Sequence, residues 1–116
     1  MNFIEMSDQA ILDIANPIMD SLMDASTEID YKLHVKDFTD RIKCIVTKEY
    51  FQKNCNQYQE EKGYFTEREV AAVFKRPDSA AIVWKQTFTK AKGEYVAEMV
   101  LVEKDGSILV DHVMVF

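Results

Sequence analysis

The stretch EYVAEMVLVEKDGSILVDHVMVF, residues 94–116, decides how this chain folds. Runs rich in Val, Leu, Ile and Met lie on both sides of Asp105-Gly106, a dipeptide that favours a two-residue type I′ hairpin turn. The stretch therefore predicts two antiparallel strands, over residues 94–104 and 107–116. The turn also fixes which residues face one another: Lys104 and Ser107, Leu101 and Val110, and Met99 and His112.

Two more strand-like runs, residues 65–75 and 80–89, precede this hairpin. They are separated by the turn Arg76-Pro77-Asp78-Ser79, in which proline takes the second position, and are followed by the turn Lys90-Ala91-Lys92-Gly93. Connections this short join neighbouring antiparallel strands. The second half of the chain is thus predicted to be a four-stranded meander.

The register between the second and third strands is open by one residue, because Gly93 can close a bulge. A loop of two or four residues segregates the side chains best, and it places two pairs side by side: Trp84 with Met99, and Lys85 with Glu98. The face predicted to lie against helices then carries Ile82, Trp84, Phe88, Tyr95, Met99, Leu101, Val110, His112, Met114 and Phe116. The other face carries Lys85, Glu98 and Asp111 among Val83, Val100, Val102, Leu109 and Val113.

The first half of the chain has the periodicity of helices. A helix is predicted from Ser7 to about Ala25, with an apolar face formed by Ile11, Ile14, Ala15, Ile18 and Leu22. Pro17 lies in its middle without breaking the apolar phase, so we interpret the segment as one helix kinked at Pro17. The alternative is two short helices, the second capped by Asn16.

Two further helices are predicted before the strands. The second begins near Glu28 and has an apolar stripe at helical spacing, formed by Tyr31, His34, Val35, Phe38, Ile42 and Ile45. The third follows Thr47, a favoured N-cap, and ends at Gly63. Its apolar face is formed by Phe51, Cys55 and Tyr58. Cys44 and Cys55 lack Cys-x-x-Cys or metal-ligand spacing and are predicted to be buried thiols.

The composition fits one domain over residues 1–116, because 47% of the 116 residues are hydrophobic and no linker interrupts them. Helices followed by strands predict an α+β fold, with three N-terminal helices packed on a curved four-stranded antiparallel meander sheet. The second sheet face is unusually apolar for one in contact with solvent. We therefore expect a second copy of the chain to cover it.

The charge distribution limits the classes of partner that this chain is expected to bind. The net charge is −6, and residues 1–31 contain seven acids and no lysine or arginine. An acidic chain without a basic stripe is a poor binder of nucleic acid and of anionic membranes. The acidic segment is either a solvated helix face or a docking surface for a basic partner. No run approaches ~18 apolar residues, and no signal-peptide pattern is present, so we expect no membrane association and a cytoplasmic location.

Several short sequence motifs support a resemblance to a known superfamily. Asp37-Phe38-Thr39 precedes Thr47-Lys48-Glu49-Tyr50-Phe51, and Gly63-Tyr64-Phe65 and a closing strand over 106–113 follow. In this order the chain resembles the nuclear-transport-factor-2-like superfamily, in particular its small uncharacterised domains, over roughly residues 5–116. The resemblance implies a cone-shaped α+β fold. The superfamily includes isomerases, dehydratases, epoxide hydrolases, transport adaptors and kinase association domains, so the fold leaves the function open.

No catalytic motif accompanies the resemblance. The Asp, His and Tyr constellation of the dehydratase and isomerase members has no residue-by-residue counterpart here, so we predict no catalytic residue. Phosphate-binding loops, G-x-S-x-G and H-E-x-x-H are also absent, and we expect neither a cofactor nor a metal. The candidate pocket residues are Trp84, Met99, His112 and His34. The candidate interface residues are Val100, Glu98, Lys85, Asp111 and Val113.

Two functions are consistent with these features. The first is a non-catalytic module, homodimeric through the open sheet face, that binds a small apolar ligand or a protein. The second is a small lyase, isomerase or hydrolase with an apolar pocket between helices and sheet. In the second case His112 is the acid–base group, since it is predicted to face the helices beside Met99 and near Trp84.

Overall fold

Helix α1 spans Asp8–Glu28 in the computed structural model, which describes all residues 1–116. Its N-cap is Ser7, whose hydroxyl accepts a hydrogen bond from the amide of Ala10 at 3.0 Å. The helix passes through Pro17 without interruption, so the one-helix interpretation is confirmed. A single 3₁₀ turn, Phe3–Glu5, precedes it and buries Phe3.

The second predicted helix is wrong as one element, because the segment forms two short helices. These are α2, Tyr31–His34, and α3, Asp40–Ile45, so the chain has four α-helices. Between them Phe38 forms a parallel bridge with Val110 of the last strand. The amide of Thr39 donates to the carbonyl of Val110 at 3.0 Å, and these sheet contacts replace helical hydrogen bonds.

Helix α4 spans Lys48–Lys62 and has the predicted ends. The hydroxyl of Thr47 accepts a hydrogen bond from the amide of Tyr50 at 3.2 Å, as an N-cap does. Gly63 follows the last turn with a φ of 86°, a left-handed value that glycine adopts without a steric penalty. These two ends direct α4 back toward the sheet.

The sheet is an antiparallel meander in the order β1-β2-β3-β4. Its strands are β1, Phe65–Lys75, β2, Ser79–Phe88, β3, Tyr95–Lys104, and β4, Ser107–Val115. The predicted α+β fold is confirmed, with helices preceding the strands. The predicted Asp105-Gly106 turn is confirmed too, because both residues have positive φ and Lys104 pairs with Ser107.

The register between β2 and β3 differs by two residues from the prediction. Trp84 lies opposite Ala97 rather than Met99, and Lys85 lies opposite Val96 rather than Glu98. The connection over residues 89–94 is held by α4, since the amides of Lys90 and Ala91 donate to the carbonyl of Lys62. A shift of two residues preserves the side-chain alternation, so the faces of these two strands are as predicted.

The register between β3 and β4 contains a bulge that the prediction lacked. Leu101 pairs with Val110 as expected, but Val100, not Met99, pairs with His112. Asp111 is therefore an extra residue, and every side chain after it is turned to the opposite face. The helix-facing positions of His112, Met114 and Phe116, and the outward position of Val113, are accordingly wrong.

The core lies between the sheet and the helices. Its strand residues include Ile82, Trp84, Met99, Leu101 and Val110, all at most 1% exposed. From the helical half it receives Phe3, Ile11, Ala15, Met19, Leu22, Phe38 and Ile42. The other sheet face has no helix over it. None of the helices is long and apolar enough to cross a membrane.

Candidate functional site

A cavity of about 150 Å³ lies between α1, α4 and the helix-facing side of the sheet. Most of its walls are apolar or aromatic. The lining residues are Met19, Leu22, Met23 and Ser26 of α1, His34 of α2, Phe51, Asn54, Cys55, Tyr58 and Lys62 of α4, and Phe65, Phe88, Val113, Met114 and Val115 of the strands.

Two polar side chains of this cavity, Cys55 and Tyr58, each form a hydrogen bond with a third, Ser26. The hydroxyl of Ser26 lies 2.7 Å from the hydroxyl of Tyr58 and 3.4 Å from the thiol of Cys55. Desolvation by burial raises the pKa of the Cys55 thiol and the pKa of the Tyr58 hydroxyl. Both groups are therefore uncharged at neutral pH, and the network is neutral.

His34, the last residue of α2, forms one wall of the cavity. Its ring lies 4.4 Å from the ring of Phe51 and 5.3 Å from that of Phe38, measured between centroids. Desolvation by burial lowers the pKa of His34 to about 4, although the backbone of Leu22 acts in the opposite direction. The imidazole is thus neutral at pH 7, and its buried Nδ1 has no hydrogen-bond partner within the chain.

Lys62 is the charged residue of the cavity lining. Its ammonium nitrogen lies 5.3 Å from the ring centroid of Tyr95 and 5.9 Å from that of Phe88. It takes part in none of the salt bridges of the chain. The cavity lining therefore carries one positive charge, which lies near two aromatic rings and has no carboxylate partner.

A second cleft of about 330 Å³ adjoins the first, between α3, α4 and β4. The two share His34, Phe51, Asn54 and the segment 113–115. The second cleft adds more polar side chains, among them Arg41, Tyr50, Asp111 and His112. The two spaces form a continuous depression along α4 and the end of β4.

Asp111 connects the bulge of β4 to the start of α3. Its carboxylate accepts hydrogen bonds from the hydroxyl of Thr39 at 2.8 Å and from Nε of Arg41 at 3.0 Å. The guanidinium of Arg41 also donates to the Asp111 carbonyl. Desolvation alone raises the pKa of Asp111, but the hydrogen bonds from Arg41 and Thr39 outweigh it and lower that pKa.

His112 lies on the open sheet face and pairs with a carboxylate. Its Nε2 atom is 2.8 Å from Oε1 of Glu98, so one nitrogen is held and Nδ1 is left for another partner. This contact was not expected from the sequence, which placed His112 beside Met99. Lys85, predicted to pair with Glu98, instead lies 3.1 Å from Glu94.

The structure separates the predicted pocket residues. His34 and His112 both line the second cleft, whereas Trp84 and Met99 lie in the core and line neither space. The indole nitrogen of Trp84 donates to the side-chain oxygen of Asn16 at 3.0 Å. Glu98, which was predicted as an interface residue, lies on the open sheet face beside His112.

The predicted interface residues divide in the same way. Val100 and Lys85 lie on the open sheet face, as expected. Asp111 is the extra, unpaired residue of the bulge. Val113 packs against the core on the helix side, so its predicted position on the open face is wrong. Of the two cysteines, Cys55 is buried as predicted, but Cys44 is exposed.

Lys62 is a cavity residue that was not predicted from the sequence. The signal was present, since Phe51, Cys55, Tyr58 and Lys62 are separated by four, three and four positions and so share one helix face. The predicted apolar face stopped at Tyr58, and the end of the helix was assigned to Gly63 without a role for Lys62. Only the sheet position reveals that this stripe borders a cavity.

No protein-family model and no curated protein matches the chain. Among solved structures, the chain is similar to Bdellovibrio bacteriovorus Bd1075, with a TM-score of 0.53 and 7% sequence identity. The match covers 89% of this chain but 39% of Bd1075, so the chain spans about two fifths of that protein. At this identity the likeness concerns the fold alone.

Proposed function

We propose that this protein is a non-catalytic binding module of the nuclear-transport-factor-2-like kind, which holds a small apolar ligand between α1, α4 and the sheet. The observation that carries the proposal is the cavity of about 150 Å³ with mostly apolar walls. Apolar walls with a few polar groups are the usual lining of a small-molecule site, and a volume below the roughly 300 Å³ of pockets for drug-sized ligands restricts this cavity to a smaller ligand. Its Ser26, Cys55 and Tyr58 network can orient a ligand without adding charge.

The protonation states in the cavity favour binding over catalysis. A general acid or base works best with a pKa near the pH of the reaction. Here burial lowers the pKa of His34 to about 4 and raises the pKa values of Cys55 and Tyr58. The pKa values of all three groups are thus shifted away from pH 7, in the direction that keeps each group uncharged at that pH.

Ligand-induced stabilisation tests the proposal with 1-octanol as the probe. A ligand that binds only the folded state raises the melting temperature. We expect 1-octanol to raise the Tm of the wild type. Asn54 lines the cavity and is exposed at its edge, so Asn54→Trp should obstruct the cavity and abolish the rise.

Asn56→Trp is the matched control, because Asn56 is exposed on the same helix and does not line the cavity. It should preserve the rise in Tm. An unchanged Tm in the wild type with saturating 1-octanol would overturn the proposed binding function. An equal rise in both tryptophan variants would place the bound alcohol elsewhere on the protein.

The same proposal includes a homodimer formed through the open sheet face. Three large side chains project from that side of the sheet or its end: Phe74, Met114 and Phe116, at 54%, 49% and 55% exposure. A continuous row across all four strands joins Phe74, Ala81, Val100 and His112. Four strands at about 4.8 Å and ten residues at about 3.3 Å give a face of roughly 600 Å². A self-complementary contact of this order approaches the ~800 Å² per partner of a standard interface.

Val100→Lys tests the dimer, since it places a charge in the middle of that row. We expect the wild type to elute as a dimer in size-exclusion chromatography with light scattering, and Val100→Lys to elute as a monomer. Leu33→Lys, an exposed position on α2, is the control and should stay dimeric. A wild-type monomer at micromolar concentration, or a dimeric Val100→Lys protein, would contradict this interface.

A second candidate function is a small lyase, isomerase or hydrolase, and the His112–Glu98 contact is the observation that favours it. A carboxylate 2.8 Å from an imidazole orients the ring, as in many acid–base sites. The adjoining cleft of about 330 Å³ offers room for a substrate beside His112. Under this hypothesis Glu98 orients the imidazole ring of His112, and His112 transfers the proton.

Hydrolysis of p-nitrophenyl acetate tests the hydrolase form of this candidate. Activity should fall at least tenfold in His112→Gln and in Glu98→Gln, because each removes one half of the pair. Glu69→Gln, an exposed carboxylate opposite Lys85 in the sheet, should retain it. Activity that persists in both His112→Gln and Glu98→Gln would remove the pair from any hydrolytic mechanism.

A further inference from the structure

We infer that the cavity selects a medium-chain monocarboxylate, with the carboxylate at Lys62 and the alkyl chain along α4. This inference rests on the proposed binding function and names its ligand class. The chain has a net charge of −6, yet the one charged residue in the cavity lining is a lysine. The local charge of the cavity is therefore opposite to that of the protein as a whole.

The ammonium of Lys62 has no anionic partner. It lies over the rings of Phe88 and Tyr95 and forms no salt bridge. Phe88 also lines the cavity, so the charge is at the boundary of the apolar space. A carboxylate placed there would gain a charge-assisted hydrogen bond from the ammonium of Lys62.

The remaining polar groups favour one negative charge over other head groups. His34, Cys55 and Tyr58 are uncharged at neutral pH and cannot balance a second negative charge. A phosphate or a dicarboxylate therefore lacks a second cation. An amine would be repelled by Lys62, whereas a single carboxylate is neutralised by it.

The spread of the lining residues along α4 favours an alkyl chain as the apolar part of the ligand. The lining residues of α4 extend from Phe51 to Lys62, which corresponds to about 16 Å at 1.5 Å per residue. An unbranched chain along these residues of α4 would have its polar end at Lys62 and its methyl end toward Phe51.

Octanoate and 1-octanol differ in charge and are similar in length, so their comparison isolates the head group. We expect isothermal titration calorimetry at pH 8 to give at least tenfold tighter binding of octanoate to the wild type. Lys62→Met retains the apolar stem of the side chain and removes its charge. In that variant the two affinities should become equal, through weaker octanoate binding and unchanged octanol binding.

Lys53→Met is the matched control, since Lys53 is exposed on α4 outside the cavity and the net charge changes equally. It should keep the tenfold preference, as should Lys62→Arg. Equal affinities in the wild type, or a preference that survives Lys62→Met, would overturn the carboxylate inference and leave the binding function intact. Absence of binding by both probes would overturn the binding function itself.

Discussion

Nε2 of His112 lies 2.8 Å from Oε1 of Glu98 on the sheet face that turns away from the helices. The two residues are diagonal neighbours, because Glu98 is paired with Met114 and His112 with Val100. A regular ladder would place His112 opposite Met99 and inside the core. The extra residue Asp111 is what moves the imidazole to the open face, so the bulge determines where this titratable side chain can act.

Asp111→Ala should destabilise the protein by about 1–3 kcal/mol, because it removes a carboxylate that accepts hydrogen bonds from Thr39 and Arg41. Asp37→Ala is the control, since Asp37 has only a 4.0 Å contact with Lys36 at the surface. Urea denaturation should show the loss for Asp111→Ala and little change for Asp37→Ala. Equal midpoints would mean that the bulge does not depend on the carboxylate.

The stability contribution of His34 should depend on pH. The pKa of His34 is about 4 in the folded protein and 6.5 in the unfolded chain, so only the unfolded state gains the proton between these values. Stability is therefore lost as the pH falls from 6.5 to 4, by roughly 3 kcal/mol at about 1.4 kcal/mol per unit. His34→Phe keeps an aromatic ring against Phe51 and removes this loss. Denaturation at pH 7.5 and pH 4 should thus give a smaller difference for the variant, and parallel losses would refute the assignment.

Asn16→Ala should cost about 1–3 kcal/mol, because the buried indole N–H of Trp84 would lose its acceptor. Asn16→Asp keeps an acceptor oxygen at the same position and should recover most of the loss. Trp84 is the single tryptophan, so its fluorescence reports both the environment of the ring and the unfolding transition. Identical midpoints for the alanine and aspartate variants would contradict a role for this hydrogen bond.

Gly63→Ala should be more destabilising than Gly93→Ala. Both glycines have left-handed φ values, 86° and 107°, which cost about 1–2 kcal/mol for a residue with a Cβ. At Gly63 the added Cβ would also collide with the hydroxyl oxygen of Thr89, which accepts a hydrogen bond from the amide of Tyr64. At Gly93 there is open space. The two urea midpoints should therefore differ, and a Gly63→Ala protein as stable as Gly93→Ala would show that the loop adjusts freely.

The local elements of this fold could be predicted from the sequence because their signals lie within a few residues. Ser7 and Thr47 cap helices through their own hydroxyls, and Asp105-Gly106 supplies the two positive φ values that a type I′ turn needs. The alternation of side chains then assigned the faces of β2 and β3. A two-residue error in their register left that assignment unchanged.

The candidate site was decided by contacts between residues far apart in the chain. Asp111 is the extra residue of the bulge, and its carboxylate binds Thr39 and Arg41, about seventy positions away in the chain. The bulge reverses the side chains of His112 and Val113. Lys62 becomes a cavity residue only when the strands are placed against α4. Side-chain types and helix periodicity are properties of the sequence itself. The bulge, the cavity and its isolated charge depend on how distant segments share space, and only the tertiary structure decides that.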